Sequence, residues 1–187
     1  MCSSDLGSTQ AETLVGGSGN DTLVGGGGAD VLAGGAGNDS IVVNAGNLAA
    51  LVAAAGSGGN IGQLARVDGG GGIDKLVLSG AGLTLDLTAI ANQGAGTPGV
   101  TSRIESVERI DLTGSGNNSL TLGVNDVLDM TGMNLFNDGS GWSGLGATVA
   151  RHQLVVDGNA GDLLTFASQA DWLYAGAVAN EIGRAHV

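Results

Sequence analysis

Aspartate recurs at nine-residue intervals near the start of the chain. Each aspartate ends a glycine-rich hexapeptide, and a large aliphatic residue follows it two positions later. Three consecutive copies, residues 16–24, 25–33 and 34–42, fit G-G-x-G-x-D-x-U-x, where U is the aliphatic residue. A carboxylate held among glycines suits a hard cation. Calcium takes six to eight oxygen ligands and mixes carboxylates with main-chain carbonyls, whereas magnesium demands a smaller octahedral shell and retains its waters.

The spacing predicts a six-residue turn followed by a three-residue strand. Glycine adopts positive φ without a Cβ penalty, so carbonyl oxygens can turn inward beside the aspartate. The aliphatic residues Leu23, Leu32 and Ile41 then stack as a narrow core. A flexible glycine-rich linker is the competing interpretation, but it needs neither the aspartate nor the aliphatic residue. The candidate calcium ligands in these copies are Gly17, Gly19, Asp21, Gly26, Gly28, Asp30, Gly35, Gly37 and Asp39.

A fourth complete copy stands alone at residues 69–77 and adds Gly70, Gly72 and Asp74 as candidate ligands. An ordinary glycine turn before a strand would also explain it. Residues 7–15, with Glu12 in the aspartate place, and 113–121, with Asn118 there, are degenerate copies.

The repeat resembles the calcium-binding nonapeptide of the RTX family. The resemblance implies a parallel β-roll in which successive turns lie on alternate edges and each Ca2+ sits between turns two repeats apart. Asp21 and Asp39 would then share one site, while Asp30 would face the other edge with Glu12.

Composition favours cations over polyanions as partners. Glycine supplies 37 of 187 residues, against a usual ~7%, and the single proline excludes a collagen-like chain. The formal net charge of −12 disfavours nucleic acid and anionic membranes. The only cysteine, Cys2, allows no disulfide. The apolar runs are too short for a membrane span.

The chain divides into five segments on these patterns. One DNA string, read in its two directions, encodes both residues 1–5 and 182–186 and resembles a common sequencing adapter, so residues 1–6 and 182–187 are expected to be non-native. Between them we expect a calcium-binding roll at 7–45, a helical and glycine-rich insert at 46–65, and a β-rich region at 66–181 that opens with the isolated repeat.

The predicted fold is all-β, a parallel β-roll followed by a solenoid-like or sandwich-like region, with one short helix near 47–55. Asn44 or Asn47 is the expected N-cap of that helix and Gly56 its C-cap. Residues 124–130 favour a single helical turn. Short alternating strands are expected at 76–78, 83–87, 110–113, 120–122 and 154–156.

Charged residues at 103–109 are interpreted as a surface ladder formed by Arg103, Glu105, Glu108 and Arg109. No G-x-S-x-G elbow or H-E-x-x-H motif occurs. We therefore expect no enzymatic activity in this chain.

The RTX resemblance implies a calcium-binding structural module, secreted by a type I system and acting outside the cell or at its surface. Residues 102–114 and 153–162 also resemble segments of large bacterial adhesins, which favours an adhesin that binds a cell-surface or matrix ligand through its parent protein. The alternative is the C-terminal RTX region of a secreted hydrolase or toxin. Direct ligand binding by the β-rich part is a third possibility.

Overall fold

The computed structural model describes residues 4–91, 102–134, 151–168 and 181–186. Within these ranges the chain is strand-rich, with two α-helices and one short 3-10 helix, Leu87–Ala89. The helices are α1 (Ala45–Val52) and α2 (Val124–Met130). The strands are β1 (Ser4–Leu6), β2 (Thr13–Ser18), β3 (Thr22–Val24), β4 (Val31–Ala36), β5 (Ser40–Val43), β6 (Arg66–Gly71), β7 (Lys75–Leu78), β8 (Thr84–Asp86), β9 (Ile104–Glu105), β10 (Arg109–Asp111), β11 (Ser119–Leu122), β12 (Met133–Asn134), β13 (Arg151–Asp157), β14 (Leu163–Phe166) and β15 (Glu181–His186).

The strands form three sheets in which most neighbours are parallel. The largest sheet has the order β1-β3-β5-β7-β10-β13, and β12 and β15 both pair antiparallel with β13. The second sheet has the order β2-β4-β6-β9, and the third has the order β8-β11-β14. From β1 to β7, consecutive strands alternate between the first two sheets. The prediction of an all-β fold class is thus confirmed.

Strand register follows the repeat, because equivalent residues two repeats apart lie side by side. Leu23 pairs with Ile41, Ile41 with Leu76, Leu76 with Ile110, and Ile110 with Val156. Each of these five side chains is at most 1% exposed. The aliphatic place of the repeat therefore builds one continuous row of core residues along the largest sheet.

After β5 the chain leaves the stack of strands, and it returns to the stack at β6. β6 pairs with β4, and β7 pairs with β5, as though residues 44–65 were absent. The isolated repeat at 69–77 therefore continues both sheets, and the sheets cross the boundary expected at residue 66.

Helix α1 occupies the start of this insert and begins after Asn44, one of the two predicted N-caps. The side chain of Asn44 caps it by accepting hydrogen bonds from the N–H groups of Gly46 and Asn47. The predicted C-cap at Gly56 is wrong, because Ala53 ends the helix in an extended conformation. The prediction of a single helix is also incomplete, since residues 124–130 form the full helix α2, with Val127 and Met130 buried. No helix in the described ranges is long and apolar enough to cross a membrane.

The continuous core row makes a stability prediction. Leu76→Ala removes a side chain that is 0% exposed and should lower the free energy of unfolding by about 2–5 kcal/mol, since the cavity cannot refill. The matched control Leu163→Ala removes a side chain that is 58% exposed and should cost about 0.5 kcal/mol or less. Urea unfolding in saturating calcium measures both, and equal losses would contradict the assigned core.

Candidate metal centre

Four acidic residues stand in a row along one edge of the largest sheet. Asp21, Asp39, Asp74 and Glu108 each immediately precede a strand, namely β3, β5, β7 and β10. The N–H of Asp21 donates to Oδ1 of Asp39 at 2.8 Å, and the N–H of Asp39 donates to Oδ1 of Asp74 at 2.7 Å. The N–H of Asp74 donates to Oε2 of Glu108 at 2.9 Å. We call these four residues the carboxylate column.

The carboxylate column is buried, with exposures of 2%, 1%, 0% and 3% from Asp21 to Glu108. Oδ2 of Asp39 and Oδ2 of Asp74 meet no hydrogen-bond donor among the described residues. A buried carboxylate oxygen without a partner is costly, and a bound cation removes that cost. These two atoms therefore make the column a candidate cation site.

The glycines of neighbouring turns supply the second kind of ligand. A Cβ placed on Gly70 would overlap the carbonyl oxygen of Gly35, and one on Gly72 would overlap that of Gly37. Only glycine can therefore stack here, and main-chain carbonyls lie at the contact between turns. As expected, all eight candidate glycines have positive φ: Gly17, Gly19, Gly26, Gly28, Gly35, Gly37, Gly70 and Gly72.

The donor set fits calcium better than a transition metal. Across the described ranges, no group of three or more His, Cys, Asp or Glu side chains is placed to hold a metal unaided. A metal here must take main-chain carbonyls as well, and calcium does so readily whereas zinc favours sulfur and nitrogen. Asp39 and Asp74, with carbonyls of turns 34–39 and 69–74, are the residues that would hold it.

Asp30 lies on the other edge, as the alternation of turns predicts. Its Oδ1 accepts the N–H of Glu12 at 2.9 Å, which repeats the relation seen in the carboxylate column. Its Oδ2, however, accepts a hydrogen bond from Nδ2 of Asn47 at 2.7 Å. The two edges of the stack therefore differ in how their carboxylates are satisfied.

Glu108 is the column member that the sequence interpretation missed, and the predicted surface ladder is wrong for two of its residues. Glu108 is buried in the column. Arg103 is buried too and donates to the carbonyl oxygens of Ala65 and Ala53 at 3.0 and 2.9 Å. Glu105 does pair with Arg66, and Arg109 with Asp157, at the surface. The local order of carboxylate, basic residue and aliphatic residue at 108–110 copies that at 74–76 and would have revealed Glu108.

The degenerate copy at 113–121 takes up an equivalent position in the third sheet. Oδ1 of Asn118 accepts the N–H of Leu83 at 2.8 Å, and the N–H of Asn118 donates to Oδ1 of Asp162 at 2.8 Å. Its Nδ2 donates to the carbonyl oxygens of Leu112 and Gly80 at 3.0 and 3.3 Å. Every polar atom of the Asn118 side chain thus has a protein partner.

Burial makes negative charge unfavourable in the column. It raises the pKa of Asp74 to about 7, against the hydrogen bond from the N–H of Asp39, and the charges of Glu108, Asp39 and Asp68 raise it further. Burial likewise raises the pKa of Glu108 and of Asp30. Without a cation, the raised pKa values mean that Asp74 and Glu108 hold protons more readily in the folded protein than in the unfolded chain.

The raised pKa of Asp74 predicts how calcium-free stability depends on pH. Between the ordinary pKa of 3.8 and the raised pKa of about 7, the Asp74 carboxyl group keeps its proton in the folded protein but has released it in the unfolded chain. The resulting contribution of Asp74 to the free energy of unfolding is full below about pH 4 and is lost as the pH rises to about 7. Urea unfolding in chelator should therefore show a smaller fall in stability over this range for Asp74→Asn than for the unsubstituted protein. Identical pH profiles would contradict the assignment.

Comparison with known families agrees with this geometry. Residues 6–47 match the family model of the RTX calcium-binding nonapeptide repeat, in four copies. No curated protein and no solved structure matches the chain. The matched range includes the three consecutive repeats and the degenerate copy around Glu12, and it ends within α1. Residues 6–47 are therefore an array of RTX calcium-binding nonapeptide repeats, and the cofactor of this array is Ca2+.

Proposed function

We propose that this chain is a calcium-dependent structural module of a secreted bacterial surface protein of the adhesin class, which becomes ordered when it meets extracellular calcium. One observation carries the proposal: two buried carboxylate oxygens, on Asp39 and Asp74, have no hydrogen-bond partner among the described residues and lie beside stacked glycine turns. An edge of this kind is incomplete without a cation.

The proposed architecture is a calcium-binding β-roll extended by a solenoid. Alternation of β1–β7 between two parallel sheets supports the roll. Parallel addition of β9 and β10 to those sheets supports its extension beyond the matched repeats. In this arrangement the module is a spacer, whose length grows by one turn for each added repeat.

Calcium acts in this proposal by binding the folded form and not the unfolded chain. At a free concentration ten times the dissociation constant, one such site adds about 1.4 kcal/mol to stability. Extracellular calcium modules bind with dissociation constants of roughly 10⁻⁴–10⁻³ M. The module thus stays loosely folded where calcium is scarce and orders outside the cell, where calcium is abundant.

The charge of the chain supports export before folding. A net charge of −12 keeps a calcium-free chain extended through repulsion. The RTX resemblance supports type I secretion, and the adhesin-like segments 102–114 and 153–162 support a surface location, with a cell-surface or matrix ligand bound by the parent protein. The same edge would order the trailing region of a secreted hydrolase or toxin.

Circular dichroism of the full chain during a calcium titration tests the module directly. We expect a gain of β signal with calcium and little change with magnesium, because magnesium keeps its waters. Asp39→Asn should require a several-fold higher calcium concentration for the same β signal, since it removes one of the calcium sites that stabilise the folded form.

The control for this titration is Asp129→Asn, which removes the same charge from α2 at a residue that is not a member of the column. It should titrate like the unsubstituted protein. An identical signal in chelator and in millimolar calcium, with no bound calcium, would overturn the proposed function.

A further inference from the structure

Asp30 differs from Asp39 and Asp74 of the carboxylate column in having protein donors on both of its oxygens. Oδ1 accepts the N–H of Glu12, and Oδ2 accepts Nδ2 of Asn47 at 2.7 Å. By contrast, Oδ2 of Asp39 and of Asp74 has no donor in the described part of the chain. The unpartnered oxygens of Asp39 and Asp74 therefore favour a bound cation, whereas hydrogen bonds from the protein already satisfy Asp30 on the other edge.

The Asn47 amide lies directly against turn 25–30. Its Nδ2 also donates to the carbonyl oxygen of Gly28 at 3.3 Å, so that it joins a carboxylate and a turn carbonyl, the two ligand types calcium takes. A Cβ placed on Gly25 would lie only 2.8 Å from this nitrogen. The side chain is 3% exposed and is packed directly over the turn.

Helix α1 holds the amide in this orientation. Oδ1 of Asn47 accepts the N–H of Asn44 at 3.2 Å, which fixes Nδ2 as the atom that faces Asp30. The insert supplies a second amide to the same edge, because Nε2 of Gln63 donates to the carbonyl oxygens of Glu12 and Ala29 at 2.7 and 2.8 Å. Both amides come from residues 44–65, which the repeat pattern does not include.

Asn118 shows the same substitution elsewhere in the chain. It stands in the aspartate place of a degenerate repeat, and its amide donates to two main-chain carbonyls. At this second turn an amide, here in the aspartate place itself, thus satisfies main-chain carbonyls.

We propose that Asn47 takes the place of a calcium ion at Asp30, so that calcium binds only along the carboxylate column. Gly26, Gly28 and Asp30 are then structural residues and not ligands, which departs from the expectation drawn from the repeat. The inference rests on the proposed calcium-dependent function. The two edges then have different roles: the edge covered by the insert is ordered without metal, whereas the column edge becomes ordered when calcium binds.

Calcium stoichiometry of the full chain, measured by isothermal titration calorimetry, tests the inference by loss. Asp30→Asn should bind as many calcium ions as the unsubstituted protein. Asp39→Asn should bind at least one fewer. Loss of an ion in Asp30→Asn would overturn the inference while leaving the proposed function intact, whereas no calcium binding by the unsubstituted protein would overturn the proposed function itself.

A gain-of-site variant keeps the test decisive if Asp30→Asn fails to fold. Asn47→Asp replaces the amide by a second carboxylate facing Asp30, so it should bind one additional calcium ion and lose stability in chelator. Asn44→Asp is the matched control, because it adds the same charge at the helix N-cap, where aspartate caps well, and should bind no additional ion. An unchanged stoichiometry in Asn47→Asp would contradict the inference.

Discussion

Buried carboxylates stacked one above another are the constraint on which the rest of this structure depends. Each acidic residue of the column ends a turn and begins a strand. The N–H of Asp39 donates to the carboxylate of Asp74, while the carbonyl oxygen of Asp39 accepts the N–H of Lys75. The side-chain ladder is therefore in register with the main-chain ladder of the sheet, and the turns cannot move apart without breaking both.

Two opposing contributions meet along the largest sheet. The aliphatic row through Leu23, Ile41 and Leu76 stabilises the stack whether or not a cation is bound, since its burial depends only on the strands. The adjacent acidic side chains oppose stacking, because they lie close together and away from water. A module balanced in this way gains most of its order at the calcium concentration that neutralises the column.

The periodic part of this arrangement could be predicted from the sequence, and the non-periodic part could not. Glycine and aspartate spacing marked the repeats, and the RTX resemblance implied that Asp21 and Asp39, two repeats apart, would lie side by side. The return of the chain at residue 66 depends on long-range pairing with β4, which no local pattern encodes. Glu108 escaped notice because its turn lacks glycines and instead holds Ser106 at a φ of 54°, an uncommon conformation for a residue with a Cβ. Asn47 escaped because its amide reaches Asp30 from the insert.

A crystal structure of the full chain grown with calcium, with anomalous scattering recorded to locate the ions, tests the central claim most directly. The account predicts anomalous peaks along the carboxylate column, with Oδ2 of Asp39 and Oδ2 of Asp74 at calcium–oxygen distances of about 2.3–2.6 Å. Peaks absent from this column, with Asp39 and Asp74 still buried and bound only to protein atoms, would contradict it.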